Sequence, residues 1–105
     1  MIETNKTLNL MTDVEYQSGS IVSTVLVKKP TGNVTFFAFD KGEMLSPHSA
    51  PFDALVHVVE GTAEITIGDD VHILHANDVI VMPADIVHGV KAEEKFKMML
   101  VMLKS

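Results

Sequence analysis

Short runs of apolar and β-branched residues, separated by Gly, Pro, Asn and Asp, recur along the chain from Ser20 onward. This pattern is typical of an all-β protein, because β-branched and aromatic residues favour strands while Gly, Pro, Asn and Asp favour turns. Reversals are expected at residues 29–32, 41–42, 60–61 and 68–70. The pattern predicts strands at residues 21–28, 34–39, 55–60, 63–67, 71–76, 79–82, 89–91 and 96–104.

The predicted strands differ in how their two faces are patterned. Ala63, Ile65 and Ile67 alternate with polar residues, which indicates a strand with one buried face. Residues 96–103 are apolar on both faces, and we interpret them as a strand that is covered on both sides rather than as a short helix. Residues 1–17 show no clear periodicity and are expected to form a short N-terminal strand or an arm.

The number and length of the runs limit the fold. Short strands without an interior helix favour a closed barrel or a jelly roll, because closure removes exposed strand edges. An immunoglobulin-type sandwich is the alternative at this point. A chain of 105 residues has room for one core, so residues 1–105 are expected to form a single domain.

Charge and hydropathy limit the classes of partner and the location that are expected for this chain. Lys and Arg number 8 against 14 Asp and Glu, which gives a net charge of −6. This is the wrong sign for attraction to nucleic acid or to an anionic membrane surface, so neither partner is expected. No apolar run approaches the roughly 20 residues that span a bilayer, and the first residues lack the apolar core of a signal peptide, so a cytoplasmic location is expected. The mean hydropathy is positive, which suggests that a homodimer hides part of the apolar surface.

The absence of cysteine limits the chemistry that the chain can support. It excludes disulfides, thiolate metal clusters and a cysteine nucleophile, so any metal would rest on histidine, carboxylate or water.

A first segment carries a family resemblance between Gly42 and Gly61, with His48 between these two glycines. It resembles the first conserved motif of the cupin superfamily, which runs from one glycine to another through two histidines and a glutamate. Both flanking glycines and the first histidine match that motif.

A second segment, residues 77–90, resembles the second cupin motif. Pro83 and His88 match it, whereas Asn77 and Asp85 stand where glycines are usual. The resemblance covers residues 34–104 and is closest to small single-domain microbial cupins of the cupin 2 conserved barrel type. It implies an all-β, cupin-type double-stranded β-helix, that is, a jelly-roll barrel.

The resemblance also implies a metal site, which is degenerate in this sequence. Carried over one by one, the cupin ligands fall on His48 and His88, while Ala50 and Ala54 occupy the other two ligand positions. A methyl group offers no lone pair, so two imidazoles would need water, substrate or another side chain to complete a coordination sphere. Both histidines are therefore candidate metal ligands and candidate ligand-pocket residues.

Other polar residues are candidates to replace the missing ligands. Asp53 precedes Ala54, so strict alternation turns it outward, and it would reach a metal only if a bulge formed around residues 51–52. His57 is expected on the outer face, and His72 and His75 lie on opposite faces of one strand, where surface roles are the simpler reading.

Three functions remain open from the sequence. The first is a small-molecule-binding cupin, metal-free or weakly metal-binding, that acts as a binding or sensing module. The second is a metal-dependent enzyme of the dioxygenase or isomerase type, in which His48, His88 and Asp53 would bind a divalent transition metal (iron, manganese, nickel, copper or zinc). The third is a metal-independent isomerase in which the histidine pair transfers protons.

Overall fold

The computed structural model describes residues 2–104. Within this range no helix has the length and apolarity needed to cross a membrane. The elements are eight strands: β1 (Ile21–Lys29), β2 (Gly32–Phe39), β3 (Met44–His48), β4 (Asp53–Ile67), β5 (Asp70–His75), β6 (Val79–Met82), β7 (His88–Lys91) and β8 (Phe96–Leu103). The all-β fold class that the sequence predicts is confirmed.

The strands form two antiparallel sheets that share β4. The first sheet has the order β1-β2-β8-β4-β6, and the second has the order β3-β7-β4-β5. The first part of β4 pairs in the first sheet and its last part pairs in the second. The sheets therefore curve away from a common bend in β4 and form a half-barrel, as expected for a cupin-type jelly roll.

The bend in β4 lies at Gly61. This residue has a φ of 80°, and a Cβ there would overlap the carbonyl oxygen of Lys95 and approach Phe96 to within 2.9 Å. Only glycine fits this combination of left-handed backbone and close approach. The register between β4 and β8 also shifts between Val58 and Glu60, which increases the local twist.

Two strand predictions differ from the structure. Residues 55–60 and 63–67 were expected to be separate strands joined by a turn, but they belong to the single 15-residue strand β4. A strand can change sheets at a glycine bend without breaking, so the Glu60-Gly61 pair marks a corner rather than a reversal. Strand β3 was not predicted, because Met44–His48 is largely exposed and contains Ser and Pro.

The interior of the half-barrel is apolar. Alternate residues of β4 face inward and are buried, namely Ala54, Val56 and Val58 before the bend and Ala63 and Ile65 after it. This confirms the inward orientation that alternation predicts. Three further members of this core are completely buried near the bend: Phe39, Phe96 and Ala92. The stacked rings of Phe39 and Phe96, 4.6 Å apart, close this end of the half-barrel.

The N-terminal segment is an arm rather than a strand over the described residues 2–17. Its apolar side chains, among them Leu8 and Leu10, pack with Phe36 and Met99 on the outer face of the first sheet. The first half of β8 is therefore covered on both faces, as its apolar pattern predicts, whereas Val101 and Leu103 on its outer face are not covered by the arm. Its Met98 lies in the inner core, and its neighbour Met99 lies under the arm.

Candidate functional site

His48 and His88 lie side by side at one end of the second sheet. They are paired residues of the adjacent strands β3 and β7. Their ring centroids are 4.6 Å apart, and the rings meet edge to face at 65°. The structure thus brings together the two histidines that the motifs single out, and they contact each other directly.

A backbone carbonyl sets the tautomer of His48. The ring Nδ1 lies 2.8 Å from the carbonyl oxygen of Ser46. Because a carbonyl oxygen only accepts, Nδ1 must carry the proton and donate it. In the neutral ring the other nitrogen, Nε2, then keeps its lone pair free for a hydrogen-bond donor or a metal.

His88 is a buried polar residue whose ring lacks one of its hydrogen-bond partners. Its residue exposure is only 7%, and its Nδ1 has no hydrogen-bond partner. Burial lowers the pKa of His88, and the charge of the neighbouring His48 lowers it further, while a weak interaction with the backbone of Ile86, which does not meet hydrogen-bond geometry at Nδ1, raises it. The imidazole is therefore neutral at pH 7, and it lacks a partner that most buried polar groups have.

Apolar side chains extend the site into the half-barrel. Ile67 of β4 pairs with His88 and faces the same side of the sheet. On the inner face Ile67, Ile80 and Leu100 are only partly buried, although their neighbours Val56, Ala54 and Met82 are buried. These three side chains and the exposed His48 mark the end of the half-barrel that is open to solvent. The cupin motifs do not include these three residues, and the signal for them in the sequence was their apolar alternation.

The two alanines at the missing ligand positions leave the donor set incomplete. Ala54 is buried on the inner face of β4, where it pairs with Met82 and Met102. Within residues 2–104 no group of three or more His, Asp or Glu side chains is arranged to hold a metal. The pair offers two imidazole donors, fewer than the three or four protein ligands of a typical zinc site. The residues present therefore do not complete a metal site.

Asp53 lies apart from the histidine pair. It begins β4, is exposed, and pairs with Leu103. Its Oδ1 accepts a hydrogen bond from the backbone N–H of Ala84 at 2.8 Å. The carboxylate therefore ties the loop before β7 to β4, and its role as a metal ligand stays a prediction.

The other histidines occupy different surroundings. His57 is partly buried on the outer face, between Val79 and Met99 of the neighbouring strands. His75 is exposed and lies 3.3 Å from the hydroxyl of Thr62. His72 shares its face of β5 with the buried Leu74, so it points toward the inner side at the sheet edge.

Two residues of the second motif adopt the backbone conformation that its usual glycines would adopt. Asn77 has a φ of 74° and Asp85 a φ of 66°. Both are in the left-handed region, which Asn and Asp tolerate better than other non-glycine residues. The turns before β6 and β7 therefore keep a glycine-like backbone, and His88 retains its place.

The fold and the histidine pair together define a jelly-roll protein of the cupin type. A model of the cupin domain, Cupin_2, matches residues 35–104, and the chain belongs to this family. A comparison with curated proteins found no match.

Several solved structures are similar to the chain. A conserved protein of unknown function from Streptococcus pyogenes is 38% identical over 99% of this chain and 91% of its own, with a TM-score of 0.92. A cupin 2 conserved barrel domain protein from Leptotrichia buccalis is 46% identical, with a TM-score of 0.88, over 92% of this chain but only 47% of its own. A cupin superfamily protein from Desulfitobacterium hafniense is 26% identical over 99% of this chain and 95% of its own, with a TM-score of 0.90.

Proposed function

We propose that this cupin is a binding or sensing module for a small molecule and that His48 and His88 bind the polar part of that molecule. The observation that carries the proposal is the unpartnered Nδ1 of the buried His88, in contact with His48 at the open end of an apolar half-barrel.

The physical argument rests on the cost of an unmet hydrogen bond. A buried polar group without a partner is destabilising by about 1–3 kcal/mol, so such a group persists where it serves a function. Ligand sites are concave and mostly apolar, with a few polar groups that fix the orientation of the ligand. The histidine pair above Ile67, Ile80 and Leu100 has this composition.

The proposal is tested by thermal-shift screening of small alcohols, carboxylic acids and sugars, followed by titration of any ligand found. His48→Ala and His88→Ala are each expected to weaken binding by about ten-fold or more, because each removes a polar contact of about 1.4 kcal/mol. His57→Ala is the matched control, since His57 lies on the outer face. Equal affinity in all three variants would refute the role of the pair.

Metal-dependent catalysis is the alternative function, and the two converging imidazoles are the observation that favours it. The incomplete donor set argues for weak metal binding. Elemental analysis of untagged protein, purified without chelator, is expected to give well under one equivalent of iron, manganese, nickel, copper or zinc per chain. One equivalent of a single metal would overturn the metal-free proposal.

A homodimer is part of the proposed function. On the outer face of the first sheet, a row of paired residues without a charge crosses all five strands: Val27, Val34, Val101, Leu55 and Val81. At the usual strand spacing this row is about 19 Å long. The outer face of the second sheet differs, because Lys91 and Glu64 lie between Met44 and Ile73. An uncharged row fits its own copy because no like charges meet across a two-fold axis, so we assign the dimer contact to this row of the first sheet.

A further inference from the structure

The N-terminal arm and the edge strand β1 enclose a cavity at the margin of the first sheet. Its volume is about 350 Å³, and it is lined by residues 2–6 of the arm and residues 26–29 of β1. Small-molecule sites usually have volumes of roughly 300–1,000 Å³. Neither histidine of the pair lines this cavity, so it is separate from the site proposed above.

Two backbone features shape the cavity. The register between β1 and β2 shifts at Leu26, which is an extra residue without a partner on β2. The carbonyl oxygen of Leu26 accepts a hydrogen bond from the N–H of Ile2 at 3.1 Å, so the bulge holds the start of the arm against the edge strand. The arm then turns at Thr4 and Asn5, where Asn5 has a φ of 61°, and Lys6 completes the lining.

The walls of the cavity are mostly apolar. Ile2 and Leu26 belong to the apolar cluster that fixes the arm to the sheet. The aliphatic stems of lysine side chains add apolar surface, while their ammonium groups stay in water. Val27 lines the cavity and also ends the uncharged row assigned to the dimer contact, so the cavity lies beside that contact and its walls come from one chain.

The charge around the cavity has the opposite sign to that of the whole chain. Three of the eight lysines line it, namely Lys6, Lys28 and Lys29, against one of the fourteen acidic residues, Glu3. All three lysines are exposed. The ion pairs that form within residues 2–104 involve other lysines. A local excess of positive charge on a chain of net charge −6 attracts an anion to this place.

The strand register leaves the lysines of β1 without a carboxylate beside them. Lys28 pairs with Asn33 and Lys29 pairs with Gly32 on the adjacent strand β2, and neither partner carries a charge. The chain has no arginine, so the planar fork that holds phosphate in two contacts is absent. Ammonium groups act as point charges, and a single carboxylate is sufficient to satisfy them.

We propose that this cavity binds an amphipathic carboxylate, that is, a molecule with one carboxylate and an unbranched apolar chain, of the medium-chain fatty acid class. The apolar chain lies against Ile2 and Leu26, and the carboxylate lies at the lysine ammonium groups. From Leu26 to Lys29 the edge strand extends for about 10 Å, which is close to the length of an extended eight-carbon chain. This second site does not depend on the function proposed for the histidine pair.

The experiment compares four probes that separate chain from charge: octanoate, 1-octanol, octylammonium and acetate. Binding is followed by NMR shifts of backbone amides on the full chain at pH 7.5 and low ionic strength. We expect octanoate to give saturable shifts at residues 2–6 and 26–29 and to bind about three-fold or more tightly than 1-octanol, because the lysines attract its carboxylate. Octylammonium is expected to bind more weakly than 1-octanol, and acetate not to saturate, because acetate lacks the apolar chain. High salt is expected to reduce the advantage of octanoate over 1-octanol.

Variants test the charge and the apolar wall separately. Lys28→Gln together with Lys29→Gln is expected to bring the affinity for octanoate down to that for 1-octanol. Lys41→Gln is the matched control and is expected to change neither affinity, because Lys41 is an exposed lysine outside the cavity. Ile2→Ser is expected to weaken both probes alike, because it makes the wall polar.

Three results would overturn the proposal. Equal affinity of the wild type for octanoate and 1-octanol would refute the carboxylate class. Octanoate shifts that lie outside residues 2–6 and 26–29 would refute the site. Loss of octanoate binding in His48→Ala would place the probe at the histidine pair, which would overturn the second site and leave the proposed function in place.

Discussion

The buried imidazole of His88 makes stability depend on pH in a defined direction. Its pKa is lowered from the ordinary 6.5 in the folded protein, first by burial and then by His48. Above pH 6.5 the ring is neutral in both states and its contribution to stability is complete. As the pH falls from 6.5 through the folded pKa, the unfolded state takes up its proton first and the protein loses stability.

Urea denaturation at pH 7.5 and pH 5 tests this behaviour. We expect the midpoint to fall with pH in the wild type and to fall less in His88→Gln, which keeps a polar side chain but cannot titrate. His75→Gln is the control, because His75 is an exposed histidine outside the pair. An equal fall in the wild type and in His88→Gln would contradict a lowered pKa at this residue.

At the scale of the elements, the bend in β4 determines whether one strand can serve two sheets. In Gly61→Ala the new Cβ would be strained by the positive φ and would also overlap the carbonyl oxygen of Lys95. In Gly42→Ala only the positive φ of 86° causes strain, because no atom lies near the new Cβ. We expect Gly42→Ala to lower the free energy of unfolding by about 1 kcal/mol and Gly61→Ala by about 3 kcal/mol. Chemical denaturation of both variants provides the comparison, and equal losses would mean that the close approach does not constrain the bend.

The N-terminal arm is attached to the sheet by a polar contact as well as by apolar packing. The hydroxyl of Tyr16 donates to Glu60 Oε2 at 2.6 Å, next to the bend of β4. Burial raises the pKa of Tyr16, and the hydrogen bond to Glu60 raises it further, so the hydroxyl remains a donor at neutral pH. Tyr16→Phe is expected to lower the free energy of unfolding by about 1 kcal/mol.

A double-mutant cycle separates this contact from the packing of the ring. Glu60→Ala alone and combined with Tyr16→Phe should show a coupling energy of about 0.5–1 kcal/mol. Strictly additive losses would indicate that the ring, and not the hydroxyl, attaches the arm.

At the scale of the whole molecule, the proposed dimer predicts a mass of about twice 11.5 kDa by light scattering. Val79→Lys together with Val81→Lys is expected to shift the protein to monomer, because buried charges would face each other across the two-fold axis. Val71→Lys with Ile73→Lys is a matched control: these side chains are exposed to a similar degree, 60% and 52% against 58% and 51%, but lie on the second sheet. Dissociation by the control pair alone would move the interface to the second sheet.

Local patterns were sufficient for most of the fold. Alternation along β4 identified the inward positions of Ala54, Val56 and Val58, because side chains on a strand alternate between its two faces. The apolar pattern of residues 96–103 indicated a strand with two covered faces, and the inner core and the arm supply those covers for its first half, while Leu103 stays exposed. Strand β3 could not be predicted, since its five exposed residues carry no apolar periodicity and are held by pairing with β7.

The sequence by itself determined the fold class, the cupin motifs and the identity of the two histidines, because these depend on residue type and spacing along the chain. Only the tertiary structure decided that Glu60-Gly61 is a corner, that His48 and His88 contact each other, and that Nδ1 of His88 is buried without a partner. Those properties arise where strands distant in sequence pair, and burial and hydrogen bonding are properties of the assembled sheets rather than of any one segment.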